Sequence, residues 1–291
     1  MATTSAAGAI APDFTPRSRT KDSLFLTTLI ETCRNPMGAI GLGIVVLLLV
    51  VGFAAPIIAP NNPVEQFRGH RLEGPSAEFW FGTDEFSRDI FSRTVYGLRA
   101  SILVSIVAVG GFGVLGTTVG FVAGHFRGKI ETVLMRIVDT MLAFPGLLLA
   151  IAILAALGAG IQNVALAIGI GAFPRFARIG RAQMLTESSR DYVTAARVIG
   201  AGEGRIMFRH VAINAMPPLL VQGALSMAGA VLIEASLGYL GLGTEPPQPS
   251  LGNLINGARA YMDHWNYFAL PGATLALFLA GLNLLADATN E

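Results

Sequence analysis

Charge is scarce in this chain. Charged residues make up 13% of the 291 positions, against roughly 25% in an ordinary soluble domain, too few to cover a water-facing surface. Cysteine is nearly absent: Cys33 stands alone, which excludes an internal disulfide, a thiolate zinc site and a cysteine redox pair. Placed before the first apolar block, it reads as a small apolar filler. The histidines, His70, His125, His210 and His264, are scattered without ligand partners at metal spacing, so no metal site is expected. A phosphate-cradling loop is missing too. Gly128-Lys129 is the only Gly-Lys pair, Ile130 stands where Ser or Thr is needed, and Ala123 stands where the first glycine belongs. The chain is therefore not expected to hydrolyse ATP through a P-loop. Its net charge of +1 points to no nucleic-acid partner.

What it has instead is apolar sequence in long blocks. Hydrophobic residues form 53% of the chain and mean hydropathy is +0.59. A bilayer core roughly 30 Å thick takes about 20 helical residues to cross. Six stretches fit, near 38–59, 99–124, 136–157, 161–180, 215–241 and 267–288, predicting an all-α polytopic membrane protein with six transmembrane helices. The third and fourth are separated only by a short turn near Gly158 to Gln162, and Arg175 and Arg178 intrude on the fourth. Some 37 residues precede the first block, which favours an uncleaved span over a secretory signal.

Basic residues set the direction. With the N-terminus inside, the inner segments hold Arg17, Arg19, Lys21 and Arg34, then Arg127, Lys129 and Arg136, then Arg175, Arg178, Arg181, Arg190, Arg197, Arg205 and Arg209, which is fourteen of the 20 basic residues. The outer segments keep Arg68, Arg71, Arg88, Arg93, Arg99 and Arg259 beside eight acids from Glu65 to Asp263. Both termini are predicted to be cytoplasmic. Glycines such as Gly110, Gly111, Gly113, Gly116 and Gly120 lie within spans, where small residues let helices approach closely.

The inner loop between the fourth and fifth spans reads as a short amphipathic helix. Ser188, Ser189 or Asp191 can cap its start and Gly200 to Gly202 can end it. Tyr192, Val193, Ala196 and Ile199 share one face, with Arg190 and Arg197 elsewhere. A second piece, Glu203 to Phe208, precedes Pro217 and Pro218, which introduce the fifth span. Such a helix could rest on the membrane surface. On the outer side, residues 61–98 are too polar to span. Thr83 or Asp84 can cap a helix whose Phe86, Ile90 and Phe91 form an apolar stripe, suited either to resting on the spans or to a protein contact. Glu234 is an acid well inside a predicted span, where a carboxylate costs about 2.5–3.5 kcal/mol on insertion scales. It should face a helix partner or a gate, and its neighbour Ser236 is carried as a second gate candidate.

The spacing Ala195-Ala196, three residues, Gly200 resembles the cytoplasmic loop of type I importer permeases of the ATP-binding cassette superfamily. Phe81-Gly82-Thr83-Asp84, Arg88-Asp89, Ser92-Arg93 and Tyr96-Gly97 are similar to the outer signature of the dipeptide, oligopeptide and nickel permeases. Met135-Arg136, Asp139, Phe144-Pro145, Arg209-His210, Asn214, Glu234-Ala235-Ser236-Leu237, Leu240-Gly241-Leu242-Gly243 and Pro246-Pro247 continue the match in order across residues 35 to 288. Thr194 departs from a usual Glu, Ala212-Ile213 from a helix-bending Leu-Pro pair, and Ser87 from a usual Gly. The C-terminus after Leu285 is shorter than typical.

The resemblance implies the type I importer permease fold, with the C-type permease of a dipeptide or oligopeptide importer as the specific match. It divides the chain into a cytoplasmic segment 1–37, a permease domain 38–288 with outer loop 60–98 and coupling loop 181–214, and a cytoplasmic tail 289–291. It implies a non-catalytic subunit in the bacterial inner membrane. The expected partners are a homologous second permease, two ATP-binding subunits that hold ATP and Mg, and an extracytoplasmic solute-binding protein. Tyr192, Ala195, Ala196, Arg197, Gly200 and Ala201 would couple to the ATPases. Glu234 and Ser236 would line the path or gate, and Phe86, Arg88 and Asp89 would meet the binding protein. Peptide is the expected cargo, with nickel or another small solute open, and a secondary transporter is the rival class.

Overall fold

The computed structural model of the chain describes residues 35–290. Cys33, Arg17, Arg19, Lys21 and Arg34 fall outside the described residues, as do most of the expected 1–37 segment and Glu291. The described residues form helices joined by loops, with one isolated backbone bridge between Thr83 and Asp89.

Helix α1, Pro36–Phe53, starts where the Asn35 side chain accepts from the Met37 amide at 3.0 Å and proline occupies the first turn, a position that lacks an amide partner anyway. It stops at Ala54, and Pro56 lies in the following short α2, Ala55–Ile58. Next come α3, Ile90–Ser105, a wider π turn over Ile106–Gly111, and α4, Phe112–Phe126, in continuous succession. These 37 residues measure roughly 55 Å, more than a bilayer core, so one end of this rod stands outside it. The rod begins nine residues earlier than the expected 99, because Asp89 rather than Thr83 or Asp84 caps it: the Asp89 carboxylate accepts from the Phe91 and Ser92 amides at 3.2 Å each.

The expected third span is broken. Helix α5, Gly128–Leu142, and α6, Gly146–Leu157, meet at 90°. The break sits at Phe144-Pro145, where proline disfavours helical backbone in the residue before it. Helix α7, Ile161–Ser188, runs past the expected end at 180 and carries Pro174 inside. After the short α8, Asp191–Val198, a continuous rod of α9, Glu203–Arg205, a π turn Ile206–Val211, and α10, Ala212–Tyr239, replaces the expected separate piece. Pro217 and Pro218 lie inside α10 rather than introducing it, and Ala212-Ile213 continues the helix as a residue pair without a bend-forming proline should. Helix α11, Leu251–Ala258, and α12, Trp265–Asn290, complete the order.

Among the described residues four helices are long and apolar enough to cross a membrane, or five if the bent α5–α6 pair is one crossing. The remaining expected span corresponds to α7, which is not among these helices and carries Arg175, Arg178 and Arg181 along its second half.

Packing is set by small residues. On α4, a Cβ at Gly116 would sit 2.4 Å from the Phe173 carbonyl oxygen, and one at Gly120 2.2 Å from that of Ala177. Only hydrogen fits there, so the α4 and α7 backbones touch, as small-residue stripes allow in lipid. The larger core joins α3, α4, α6, α7, α8 and α10 through residues such as Phe121, Leu154, Phe176, Met184, Val193 and Ile206. A second joins α1, α3, α10, α11 and α12 through Leu48, Ile102, Val231, Leu251 and Phe278. Large side chains remain on the outside, among them Val46, Leu47, Val114, Leu148 and Leu232, as suits a molecule whose surroundings are lipid or other helices.

Candidate functional site

Two polar constellations lie at opposite ends of the bundle, with a buried carboxylate between them. The first is the elbow from Glu187 to Glu203. Helix α8 has no side-chain cap: Arg190 is its N-cap residue, and Ser189 instead donates to the Thr186 carbonyl at 2.7 Å. Asp191 in the first turn suits the positive end of the helix dipole. The exit is tightly determined. Gly200 takes φ +83°, its amide donates to the Arg197 carbonyl at 2.9 Å, and the Ala201 amide donates to the Ala196 carbonyl at 3.0 Å. This is the paired closure of a helix by a left-handed glycine.

The six coupling candidates are thereby brought together but divided in role. Ala196 is buried and, with Val193, seats α8 on the bundle. Ala201 is half-buried beside them, and Gly200 makes the turn. Tyr192, Ala195 and Arg197 face outward. The expected single apolar face is split: Val193 and Ala196 turn in, whereas Val198 and Ile199 are each 83% exposed at the tip. Sequence periodicity put Tyr192 and Ile199 with the seated residues; Tyr192 is exposed, and Ile199 lies past Val198, the last helical residue, where the turn at left-handed Gly200 carries it away from that face.

Ion pairs lash this elbow to its neighbours. Arg197 Nε donates to Glu203 Oε1 at 2.9 Å, and His125 at the end of α4 lies 3.7 Å from Glu203 Oε2. The Tyr192 hydroxyl donates to Glu187 at 2.9 Å. Burial is the main cause that raises the Tyr192 phenol above its ordinary range, and the bond to Glu203 raises the Arg197 guanidinium, so neither loses its proton near neutrality. Above the elbow, Arg178 pairs with Asp139 at 2.7 Å and Arg181 donates to Glu131 at 2.6 Å, joining α7 to α5. Thr194 is exposed and takes no part in these pairs.

The second constellation is a knot in the loop from Asn61 to Asp89. Asp84 is fully buried. Its Oδ1 accepts from the Phe86 and Arg88 amides at 2.8 and 2.9 Å, its Oδ2 from Arg88 Nε at 2.7 Å, and Arg93 lies 3.2 Å from Oδ2. Arg93 also donates to the carbonyls of Pro63 and Pro247 at 2.7 and 3.2 Å. Ser87 adopts φ +60°, as does Gly82 at +75°. Beside Gly82 the Glu73 carbonyl oxygen would lie 2.1 Å from any Cβ, so glycine is required there. Glu85 accepts from Tyr267, and Asn266 donates to the Phe81 carbonyl at 2.8 Å, tying the loop to α12. Of the three residues expected to meet a binding protein, Arg88 and Asp89 are therefore buried members of this knot, and Phe86 alone is exposed, with the Arg88 guanidinium 4.6 Å from its ring centre.

Glu234 is buried in α10 and accepts from the Ser101 hydroxyl of α3 at 2.6 Å, one of the two options the sequence left open. Ser236 donates back to the Leu232 carbonyl at 2.7 Å and does not join Glu234. Ser101 and Tyr267 were not singled out from the sequence, and Arg93, quoted there only within the outer signature, was given no role. A buried Glu234 announces that a partner must exist, but the partner is 133 positions away and no local pattern points to it. Among the described residues no group of three His, Cys, Asp or Glu side chains is placed to hold a metal.

Comparison with known proteins gives a consistent result. The family described as binding-protein-dependent transport system inner membrane component matches residues 116–291, and the N-terminal TM domain of oligopeptide transport permease C matches residues 23–75. The di/tripeptide transport system permease protein of Pseudomonas aeruginosa is 43% identical over 263 residues, 87% of this chain and 86% of that protein. The dipeptide transport system permease proteins of Escherichia coli K12 and Alkalihalophilus pseudofirmus are 40% and 39% identical, each over 89% of this chain and over 88% and 85% of their own lengths. Among solved structures, a chain of the methionine ABC transporter in inward-facing conformations superposes with a TM-score of 0.56 at 20% identity, covering 67% of this chain and 93% of that one.

Proposed function

The chain belongs to the binding-protein-dependent transport system inner membrane components, and from that premise we propose that it forms half of a path for dipeptides or oligopeptides. It is a multi-pass permease subunit of an ATP-driven importer in the bacterial inner membrane, not an enzyme, and its energy comes from ATP hydrolysed by other subunits. The peptide cargo is supported by relatives from several bacteria that are named for dipeptide or di/tripeptide transport, which gives nickel no comparable support.

In this reading the complex contains a second, homologous permease, two ATP-binding subunits that hold ATP and Mg, and an extracytoplasmic solute-binding protein. Both termini face the cytoplasm, the elbow lies inside and the knot outside, with α7 as the sixth crossing, its arginines paired to α5. One observation carries the coupling assignment: at the tip of α8 the apolar Val198 and Ile199 are presented outward by a helix whose opposite face is seated in the core. Exposed apolar side chains on a braced helix end are what a groove on a partner takes up. Tyr192, Ala195 and Arg197 complete that surface, while Ala196, Gly200 and Ala201 fix its angle. Movement of the ATPases would then tilt α7 and the α9–α10 rod together. At the other end Phe86 is the residue offered to the binding protein, supported from behind by Arg88 and Asp89. In the same reading Glu234, tied to Ser101, and Ser236 line the path or its gate.

The test is the assembled importer in liposomes carrying Ile199→Asp or Gly200→Val. Uptake is expected to fall to background while the chain still inserts and binds its permease partner. Normal uptake by both variants would refute the coupling assignment.

A further inference from the structure

At the knot end, a cavity of about 550 Å³ opens between α3, the turn joining α6 to α7, and the loop that follows α10. That size lies within the roughly 300–1,000 Å³ typical of small-molecule sites. Its polar lining comes from Tyr96, Arg99, Gln162, Asn163, Glu245 and Gln248. The walls are fixed relative to one another. The Gly160 amide donates to the Gly243 carbonyl at 3.1 Å, and Asn163 donates to the carbonyls of Leu157 and Gly158 at 3.1 and 3.2 Å, closing the turn. Gly160, at φ +136°, brings its backbone beside Glu245.

Two features mark the cavity as prepared for a ligand. The Nε of Arg99 is buried with no hydrogen-bond partner, an unusual state for a guanidinium donor that it shares with Arg93, whose Nε nevertheless lies 3.2 Å from the Asp84 carboxylate. Neither the half-buried Arg99 nor the exposed Glu245 has an ion-pair partner among the described residues, although the buried arginines at this end, Arg88 and Arg93, both lie against Asp84. A planar guanidinium is matched by a carboxylate that accepts from two of its nitrogens. A cavity that holds one unpaired cation and one unpaired anion favours a ligand carrying both opposite charges.

We propose that this cavity is a transit site for a short zwitterionic peptide, with Arg99 binding the terminal carboxylate and Glu245 facing the amino terminus. The assignment rests on the peptide reading above and adds to it a place in this subunit where cargo is held. It gives the permease a part in selection: a peptide whose C-terminus is blocked meets an uncompensated Arg99.

The test uses the purified complex of both permeases and both ATPases, without binding protein, carrying Gln162→Cys in a Cys33→Ala background. Alkylation of the introduced thiol is followed on this chain with dialanine or its C-terminal amide present. Dialanine is expected to slow labelling and the amide is not. In Arg99→Gln the half-protecting dialanine concentration should rise roughly tenfold or more, the scale of a charge-assisted bond to carboxylate. The amide comparison keeps Arg99 in place, so it stands even if that variant fails to assemble. Equal protection by both compounds, or by neither, overturns the proposal. Uptake of dialanine and of a longer alanine peptide by the complete wild-type importer separates the two readings: dialanine uptake without protection sinks the transit site alone, whereas uptake of neither peptide sinks the peptide reading and the transit site with it.

Discussion

The knot and the elbow are both rich in charge, and they use it in opposite ways. In the knot Asp84 and Asp89 are fully buried, and each carboxylate accepts from backbone amides and side chains, those of the loop for Asp84 and those of Asn61 and the first turn of α3 for Asp89. In the elbow the paired Arg197 and Glu203 are exposed, and so are the apolar Val198 and Ile199 at the helix tip. Charges buried among donors of their own chain hold that chain's fold together. A seated helix that leaves its charges in the open and turns two apolar side chains outward is completed by something else.

The sharpest break of that contrast is Asp84→Asn. Removing one partner from a buried ion pair leaves Arg88 and Arg93 uncompensated, at about 3–5 kcal/mol, so most of the variant should be lost from the folded fraction in size-exclusion chromatography. Midway along the bundle, Ser101→Ala takes the hydroxyl from buried Glu234. Leaving a buried polar group without its partner costs about 1–3 kcal/mol, so thermal melting in detergent should shift down measurably while the protein still folds. At the elbow Arg197→Gln removes an exposed pair with Glu203. Such pairs add little to stability, and the melting temperature should not move. A large loss there would show that the elbow, like the knot, holds the fold together.

How much of this was legible beforehand follows the same division. Helices in six places, the elbow helix and its glycine stop were readable because they depend on runs of apolar residues and on one left-handed position, Gly200. The 90° break at Pro145 was present as Phe144-Pro145, but 136–157 has the length of one crossing and was taken as a single span. The long rod into α10 was missed because Pro217 and Pro218 look like a helix start, whereas in a membrane helix neighbouring groups tolerate them. The knot motif was recognised as a pattern, yet its burial was not, since Arg88 and Asp89 read as surface charges until Asp84 and Asn61 are seen around them. The Ser101–Glu234 bond and the Arg99 cavity depend on long-range packing that no spacing in the sequence encodes.

The central claim is that another protein completes the elbow, and crosslinking tests it most directly. With Ile199→Cys in a Cys33→Ala background and a short thiol-reactive photocrosslinker, the assembled importer should yield one major adduct between this chain and an ATP-binding subunit, changing in yield when nucleotide is bound. A crosslinker at that position that captures only lipid or the second permease, with the importer intact and active, would contradict the account.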